Sequence, residues 1–190
     1  TGANVNVTAG SLGAFGPGAI AVNAGILDLG GLTLPNTITV AGGTLQDGLQ
    51  TGAVLTSQLT AQSGTISAII AGTDFVKSGA GELFLSGVNV YTGSTTVTGG
   101  TLKPASPDAI PADSLVNVTG GTFDLNGQSF ENAFVVAGGQ LANGIVNLSQ
   151  LTATTGAITA NLEGDLGFAK ATPGLLVLGG ANTFTGGVSI

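Results

Sequence analysis

An internal repeat constrains this 190-residue chain more than any other feature of its sequence. Five segments recur in the same order, at offsets of 90 to 96 residues. The pairs are VTAGSL at 7–12 with VTGGTL at 97–102, VNAGILDLGGLTLPN at 22–36 with VTGGTFDLNGQSFEN at 118–132, ITVAGGTLQDG at 38–48 with FVVAGGQLANG at 134–144, QLTAQSGTISA at 58–68 with QLTATTGAITA at 150–160, and GELFLSGVNVYTGS at 81–94 with GLLVLGGANTFTGG at 174–187. We therefore predict two units, 1–96 and 97–190, of about 93 residues each in one continuous fold that further repeats of the same chain flank.

Within each unit, short alternating segments are separated by glycine pairs, as in ITVAGGTL at 38–45. Alternation of apolar and polar residues is typical of strands, and a glycine pair permits a bend with positive φ. In-line repetition favours a β-solenoid over a sandwich, because each coil of a solenoid packs only on its neighbours. At about 20–24 residues per coil, each unit would form about four coils and extend about 19 Å along the axis.

Two Asn-Gly pairs, Asn126–Gly127 and Asn143–Gly144, argue against a simple solenoid, because Asn-Gly is the strongest hairpin signal. We interpret them as solenoid corners in the left-handed conformation. A local hairpin that protrudes from the stack is the alternative.

The composition predicts an all-β chain that binds neither nucleic acid nor an anionic membrane. Strong helix formers are scarce, whereas Val, Ile and Thr suit pleated strands. The net charge is −7, with only Lys77, Lys103 and Lys170 as cations and no Arg. The chain therefore has few cations to bind the phosphates of nucleic acids or of anionic lipids. The chain has no Cys and no apolar run of about 18 residues that would insert into a membrane.

One segment resembles a known family, the autotransporter-associated β-strand repeat, also called the passenger-associated transport repeat. The resemblance runs through KSGAGELFLSGVNVYTGSTTVTGGTL at 77–102 and begins again at Lys170. The residues in register in the first copy are Lys77, Gly79, Gly81, Leu83, Leu85, Gly87, Asn89, Tyr91, Gly93, Thr95, Val97, Gly100 and Leu102. Those in the second copy are Lys170, Gly174, Leu176, Leu178, Gly180, Asn182, Phe184, Gly186 and Ile190. The second copy lacks the first glycine and ends before the last Gly-x-Leu.

The resemblance implies a right-handed parallel β-helix in the passenger of a bacterial type V secretion protein. Such a passenger is exported across the outer membrane to the cell surface through a C-terminal translocator β-barrel of the full-length protein. The repeat itself is expected to aid secretion and folding, in a rigid spacer or adhesin stalk. These roles are structural, and the resemblance implies no cofactor, catalytic residue or metal ligand.

The acidic residues give little support to an enzyme, although other parallel β-helices cleave polysaccharides. Asp28 and Asp124 occupy equivalent places in the two units, which is better explained by a solvated strand position or a turn cap than by a carboxylate pair. No Arg, His or Cys is present to serve as base or nucleophile. The segment GGTFDLNGQ at 120–128 matches a calcium-binding nonapeptide poorly.

The remaining motif side chains have structural interpretations. We interpret Lys77 and Lys170 as solvated charges at a coil edge that discourage lateral pairing. Tyr91 and Phe184 are interpreted as core stacking residues or corner plugs.

Two alternative functions stay open from the sequence. A polysaccharide-binding or polysaccharide-degrading module would use the segment KPASPDAIPADS at 103–114, which we interpret as a loop insertion. A self-associating surface or biofilm component would use exposed strand edges. Host-surface molecules, glycans and copies of the chain are thus the candidate partners.

Overall fold

The computed structural model describes residues 3–6, 15–34, 36–47, 53–55, 59–148, 151–170 and 172–190. The predicted motif VTAGSL at 7–12 lies outside this part of the chain. The described residues form short strands, β1 to β21, and a single-turn 3₁₀ helix at Pro107–Ala109. Every strand pairing is parallel, which confirms the predicted all-β solenoid.

The strands line three faces of a coil, here called faces A, B and C. Face A contains β2 (Ile20–Val22), β8 (Phe75–Lys77), β10 (Thr95–Val97), β12 (Val116–Val118), β19 (Phe168–Ala169) and β21 (Val188–Ser189). Face B contains β1 (Asn4–Asn6), β3 (Ile26–Asp28), β9 (Glu82–Leu85), β11 (Thr101–Pro104), β13 (Thr122–Asp124) and β20 (Leu176–Leu178). Four longer strands run from face A into face B, namely β4 (Ile38–Gln46), β6 (Leu59–Ile66), β15 (Phe134–Ala142) and β17 (Leu151–Ile158). Face C contains β5 (Ala53–Leu55), β7 (Ile69–Ala71), β14 (Ser129–Phe130), β16 (Ile145–Asn147) and β18 (Asn161–Glu163).

Each coil rests on the next with a sequence offset of 16 to 22 residues. Ala53 pairs with Ile69, and Asn4 pairs with Ile26, which are the two extremes. The predicted length of 20–24 residues per coil is therefore too long for most of the pairings. The described part of the chain makes about eight coils, which at about 4.8 Å each gives a stack about 38 Å long. The handedness of the coil stays a prediction.

The core is a set of inward columns, one residue per coil. On face B, Leu83 lies against Leu102, which is followed by Phe123, Leu141 and Ile158. These residues are all fully buried, because alternate strand residues point inward and each is covered by its equivalent in the adjacent coils. The apolar positions of the short alternating segments thus predict the core correctly.

The corner between faces A and B is built in the same way in both predicted units. The β4–β6 register shifts after Val40 and Ala41, and the β15–β17 register shifts after Val136 and Ala137. The predicted boundary between residues 96 and 97 falls inside β10, which pairs with β8 on one side and β12 on the other. The division into units 1–96 and 97–190 stays a prediction about sequence, and the solenoid continues through it.

Within the described ranges, no helix has the length and apolar character needed to cross a membrane.

Candidate functional site

The first copy of the motif, residues 77–102, winds once around the solenoid and into the next coil. Its strand residues, such as Leu83 and Leu85 on face B, point inward and are fully buried. Its glycines, Lys77 and Tyr91 lie at or beside the corners, whereas Asn89 lies on face C. The polar motif residues that carry hydrogen-bonding chemistry are Lys77, Asn89, Tyr91 and Thr95, and each is buried.

Lys77 lies inside the solenoid, so the prediction that it is a solvated charge at a coil edge is wrong. It occupies an inward position of face A, between Ala61 in the preceding coil and Val97 in the following one. None of its surface is exposed. Alternation in β8 accounts for this placement, since Phe75 and Lys77 point inward and Val76 points outward.

The ammonium group of Lys77 is held by main-chain oxygens of the corner between faces A and B. Its Nζ donates to the carbonyl oxygens of Ser78 at 2.7 Å, Gly79 at 3.1 Å and Gly99 at 2.8 Å. These three bonds use all the donors of an ammonium and connect two successive coils. Burial lowers the pKa of Lys77 by disfavouring its charged form.

The glycine at position 100 leaves room for this ammonium group. Gly100 has a φ of 62°, and a Cβ atom built on it would overlap the carbonyl oxygens of Gly81 and Gly79 and would lie 2.7 Å from Lys77 Nζ. A larger residue would therefore be strained by its backbone and would displace the lysine. Lys77 and Gly100, which are 23 positions apart in the motif, therefore depend on each other: the lysine side chain fits only beside a residue without a side chain.

Asn89 connects three successive coils on face C. Its Oδ1 accepts from the main-chain N–H of Ile70 at 2.8 Å, and its Nδ2 donates to the carbonyl oxygen of Ala109 at 2.6 Å. The side chain thus takes the place of a strand where the coil at 88–90 forms none. Burial makes these bonds more costly to lose than they would be at the surface.

Tyr91 closes the corner between faces C and A, which confirms its prediction as a core stacking residue. Its ring stacks on Phe75 with centroids 5.8 Å apart. Its hydroxyl bonds to Thr95 Oγ1 at 2.6 Å, and Thr95 Oγ1 bonds to Ser114 Oγ at 2.9 Å. Burial raises the pKa of Tyr91 to about 12, an effect larger than the opposing hydrogen bonds.

The second copy follows the same plan at the end of the chain, where it is less covered. Asn182 Oδ1 accepts from the N–H of Leu162 at 3.0 Å, as Asn89 does from Ile70. Lys170 is half-buried and its Nζ donates to the carbonyl oxygen of Thr172 at 2.5 Å, so it too is not a fully solvated charge. Phe184 packs against the core while remaining partly exposed. In the described chain only the last strand, β21, lies over the start of this copy, and no coil covers the rest, which explains the lower burial.

Asp28 and Asp124 are turn caps, as the sequence indicates. Asp28 Oδ1 accepts from Gly30 N at 2.9 Å, and Asp124 Oδ1 accepts from Asn126 N at 2.8 Å. Asn126 and Gly127 have φ values of 53° and 75°, and the strands on either side, β13 and β14, pair in parallel with β15 and β16 instead of with each other, which confirms the left-handed corner rather than a hairpin. Asn143, with a φ of 57°, forms a similar corner, and its Nδ2 donates to Asp124 Oδ2 at 3.0 Å.

Two further asparagines that sequence reasoning missed anchor the corner between faces C and A. Asn36 Nδ2 donates to the carbonyl oxygens of Gly16 and Gly18, at 3.0 and 2.7 Å. Asn132 Nδ2 donates to those of Pro111, Ala112 and Ser114, at 2.8, 3.2 and 3.0 Å. Their signal in the sequence is the offset of 96 residues, which places them at the same position of the repeat.

The segment 103–114 follows the path of the coil instead of forming a protruding loop. It begins in β11, and its 3₁₀ turn buries Ala109 and Ile110 in the core. Beside this turn is a groove of about 500 Å³. Its described lining contains no aromatic ring on which a sugar could stack. No group of three or more Asp, Glu, His or Cys within the described ranges is arranged to hold a metal ion.

Comparison with known proteins supports the resemblance seen in the sequence. The passenger-associated-transport-repeat family matches residues 75–103 and 170–190, which confirms both predicted copies. The "Adhesin BmaC autotransporter" of Brucella suis biovar 1 (strain 1330) is 33% identical over 129 residues. That alignment covers 61% of this chain and only 4% of the adhesin's length. No solved structure matches the chain. The family match and the adhesin relative together indicate a surface-exposed, exported protein.

Proposed function

Because the chain carries two passenger-associated transport repeats of the autotransporter type, we propose that it is a rigid spacer in an adhesin stalk and aids secretion and folding of its passenger. The full-length protein would carry a translocator barrel. Catalysis has no part in this proposal, and the motif residues serve to hold one coil on the next.

The use of the buried polar motif residues is the observation that carries the proposal. Lys77 bonds to carbonyl oxygens of two coils, Asn89 bridges three, and the Tyr91 hydroxyl ends a chain of bonds to Ser114. All these side chains are buried and make their hydrogen bonds within the solenoid. Such internal bonding suits a segment that must keep its shape and spacing.

The aid to secretion follows from the locality of the contacts. Each coil pairs with residues only 16 to 22 positions away, so a coil can form as soon as its predecessor has formed. A passenger that emerges unfolded from the membrane would thus fold from one end, and each coil would need few contacts with residues far away in the sequence. The absence of Cys removes disulfides that could form early.

An extension of the chain tests the spacer. Val188–Ile190 are equivalent to Thr95–Val97, so residues 98–190 can be appended after Ile190 in register. We expect the extended protein to lengthen by about 19 Å, the rise of about four coils, with an unchanged width. Electron microscopy and small-angle scattering measure both dimensions.

The control is the same addition after a flexible Gly-Ser linker, which breaks the register and should give two separately tumbling bodies. If the in-register extension behaves like this control, or widens the particle instead of lengthening it, the spacer proposal is wrong.

A further inference from the structure

Face C is interrupted midway along the solenoid. Its strands form two separate sheets, β5–β7 and β14–β16–β18. The two intervening coils contribute the non-strand segment 88–90 and the 3₁₀ turn Pro107–Ala109. As a result, β14 pairs with β16 along one edge, and no strand in the described part of the chain pairs with its other edge.

The groove of about 500 Å³ lies at this interruption, and we call it the C-face groove. The residues that matter to the argument are Val88, Asn89, Asp108, Pro111, Glu131 and Asn132. The volume is within the range of about 300–1,000 Å³ that is typical of ligand sites. It can therefore accommodate several side chains of a partner.

The shape of the C-face groove is fixed by buried groups. Asn89 holds Ala109, and Asn132 holds Pro111 and Ala112 through the hydrogen bonds described above. Behind the groove, Phe130 of β14 packs edge-on against Phe123 and Phe134, with centroids 5.6 and 6.5 Å apart. A groove held in this way loses little conformational entropy when a partner binds.

The chemistry of the C-face groove is acidic and apolar. Asp108 and Glu131 are exposed, and neither carboxylate takes part in a hydrogen bond or ion pair within the described chain. Val88 lies at the groove with 62% of its surface exposed. No Lys lines the groove, and the chain has no Arg.

We propose that the C-face groove binds an extended segment of another polypeptide that carries Lys or Arg side chains alternating with apolar ones. The cations of the partner meet Asp108 and Glu131, and an apolar side chain of the partner covers Val88. This binding is independent of the spacer proposal, since it requires only the groove itself.

The test uses the whole 190-residue chain and the peptide Lys-Val-Lys-Val-Lys-Val-Lys, blocked at both ends and followed by fluorescence anisotropy. We expect saturable binding that weakens as salt is raised, and no binding of the counterpart with Glu in place of Lys. The double variant Asp108→Asn, Glu131→Gln should bind about tenfold more weakly, because it loses both charge-assisted contacts.

Two matched controls separate the groove from the general negative charge of the chain. The double variant Glu82→Gln, Glu163→Gln removes the same charge from exposed strand positions and should bind as the parent does. Val88→Thr should weaken binding, whereas Val76→Thr at the exposed side of face A should not. Equal losses in the groove and control variants, binding of the Glu peptide, or displacement of the Lys peptide by a neutral oligosaccharide would each overturn the proposal.

Discussion

At the scale of the residue, a charge in the core is the least expected feature of this solenoid. Lys77 stands in a column whose neighbouring members are Ala61 and Val97. The alternation of Phe75, Val76 and Lys77 already predicts an inward position, but the charge of the side chain suggests the opposite. The conflict could not be resolved from the sequence, because the carbonyl acceptors come from a corner formed by residues on two different coils.

Replacement of Lys77 by Met tests what this cation contributes. Met fills a similar volume, but it leaves the carbonyl oxygens of Ser78, Gly79 and Gly99 without their donor. The Met variant no longer has to bury a charge, and this gain in stability offsets part of the loss. We expect a net destabilisation of about 2 kcal/mol, because unsatisfied buried acceptors cost about 1–3 kcal/mol each relative to solvated ones. Unfolding in denaturant measures the change.

The matched control is Lys103→Met on the outward side of β11, which should change stability by less than about 0.5 kcal/mol. A Lys77→Met protein as stable as the parent would mean that the cost of burying the charge outweighs its three bonds.

The phenol of Tyr91 predicts a dependence of stability on alkaline pH. Its pKa is raised to about 12 in the folded chain, whereas an unfolded tyrosine ionises near pH 10. The stabilisation is therefore complete below pH 10 and is lost as the pH rises through about 12, by at most about 3 kcal/mol at about 1.4 kcal/mol per pKa unit. Tyr91→Phe should remove this decline, as urea unfolding at a series of pH values would measure.

Below pH 10, Tyr91→Phe should be less stable than the parent by about 1 kcal/mol, since Thr95 loses one of its two hydrogen-bond partners and keeps only Ser114. The lowered pKa of Lys77 has the opposite effect, a gain in stability as the pH rises toward the ordinary lysine value of 10.5, and both proteins share it, so the difference between them isolates the phenol. Stability curves that stay parallel through pH 12 would contradict the assignment.

At the scale of the element, the corners determine the fold as much as the strands do. The glycine pairs predicted the positions of the bends, and the nine-residue strands β4 and β15 both turn from face A into face B at them. What the sequence could not predict is their stacking. A Cβ atom on Gly64 would overlap the carbonyl oxygen of Gly43 in the neighbouring coil, and a Cβ on Gly156 would overlap that of Gly139. Glycine is therefore required there by the adjacent coil as well as by its own φ.

Gly64→Ala tests the requirement. Its φ of 103° disfavours any side chain, and the carbonyl oxygen of Gly43 belongs to the main chain and cannot move aside. We expect a loss of about 3 kcal/mol or more in the free energy of unfolding. Gly18→Ala is the control, because its Cβ would contact nothing within 4 Å and its φ is ordinary. It should be neutral or stabilise slightly by restricting the unfolded chain. Equal stability of the two variants would argue against stacked corners.

At the scale of the whole molecule, the repeat predicted the solenoid, the parallel pairing and the apolar columns. It did not predict that face C is interrupted, because the segment 88–90 has the alternating pattern of a strand. The segment nevertheless forms no strand and is held by the side chain of Asn89 and one main-chain bond from Val90 to Ile70. The lining of the C-face groove was equally out of reach, since its residues come from three coils between Val88 and Asn132. The local sequence pattern thus predicts the strands and core of each coil, whereas features formed between coils can be predicted only when the pairing register of successive coils is known.

The passage of β10 across the boundary between the two units has a consequence for how such a protein changes over generations. Its pairing with β8 and β12 is the same as that of any interior strand, so a duplicated unit joins its neighbour through contacts that already exist. No new interface has to arise when a copy is gained, and none is left unmatched when a copy is lost. For the proposed spacer, the length of the stalk would therefore be set by copy number alone, one gene duplication or deletion at a time.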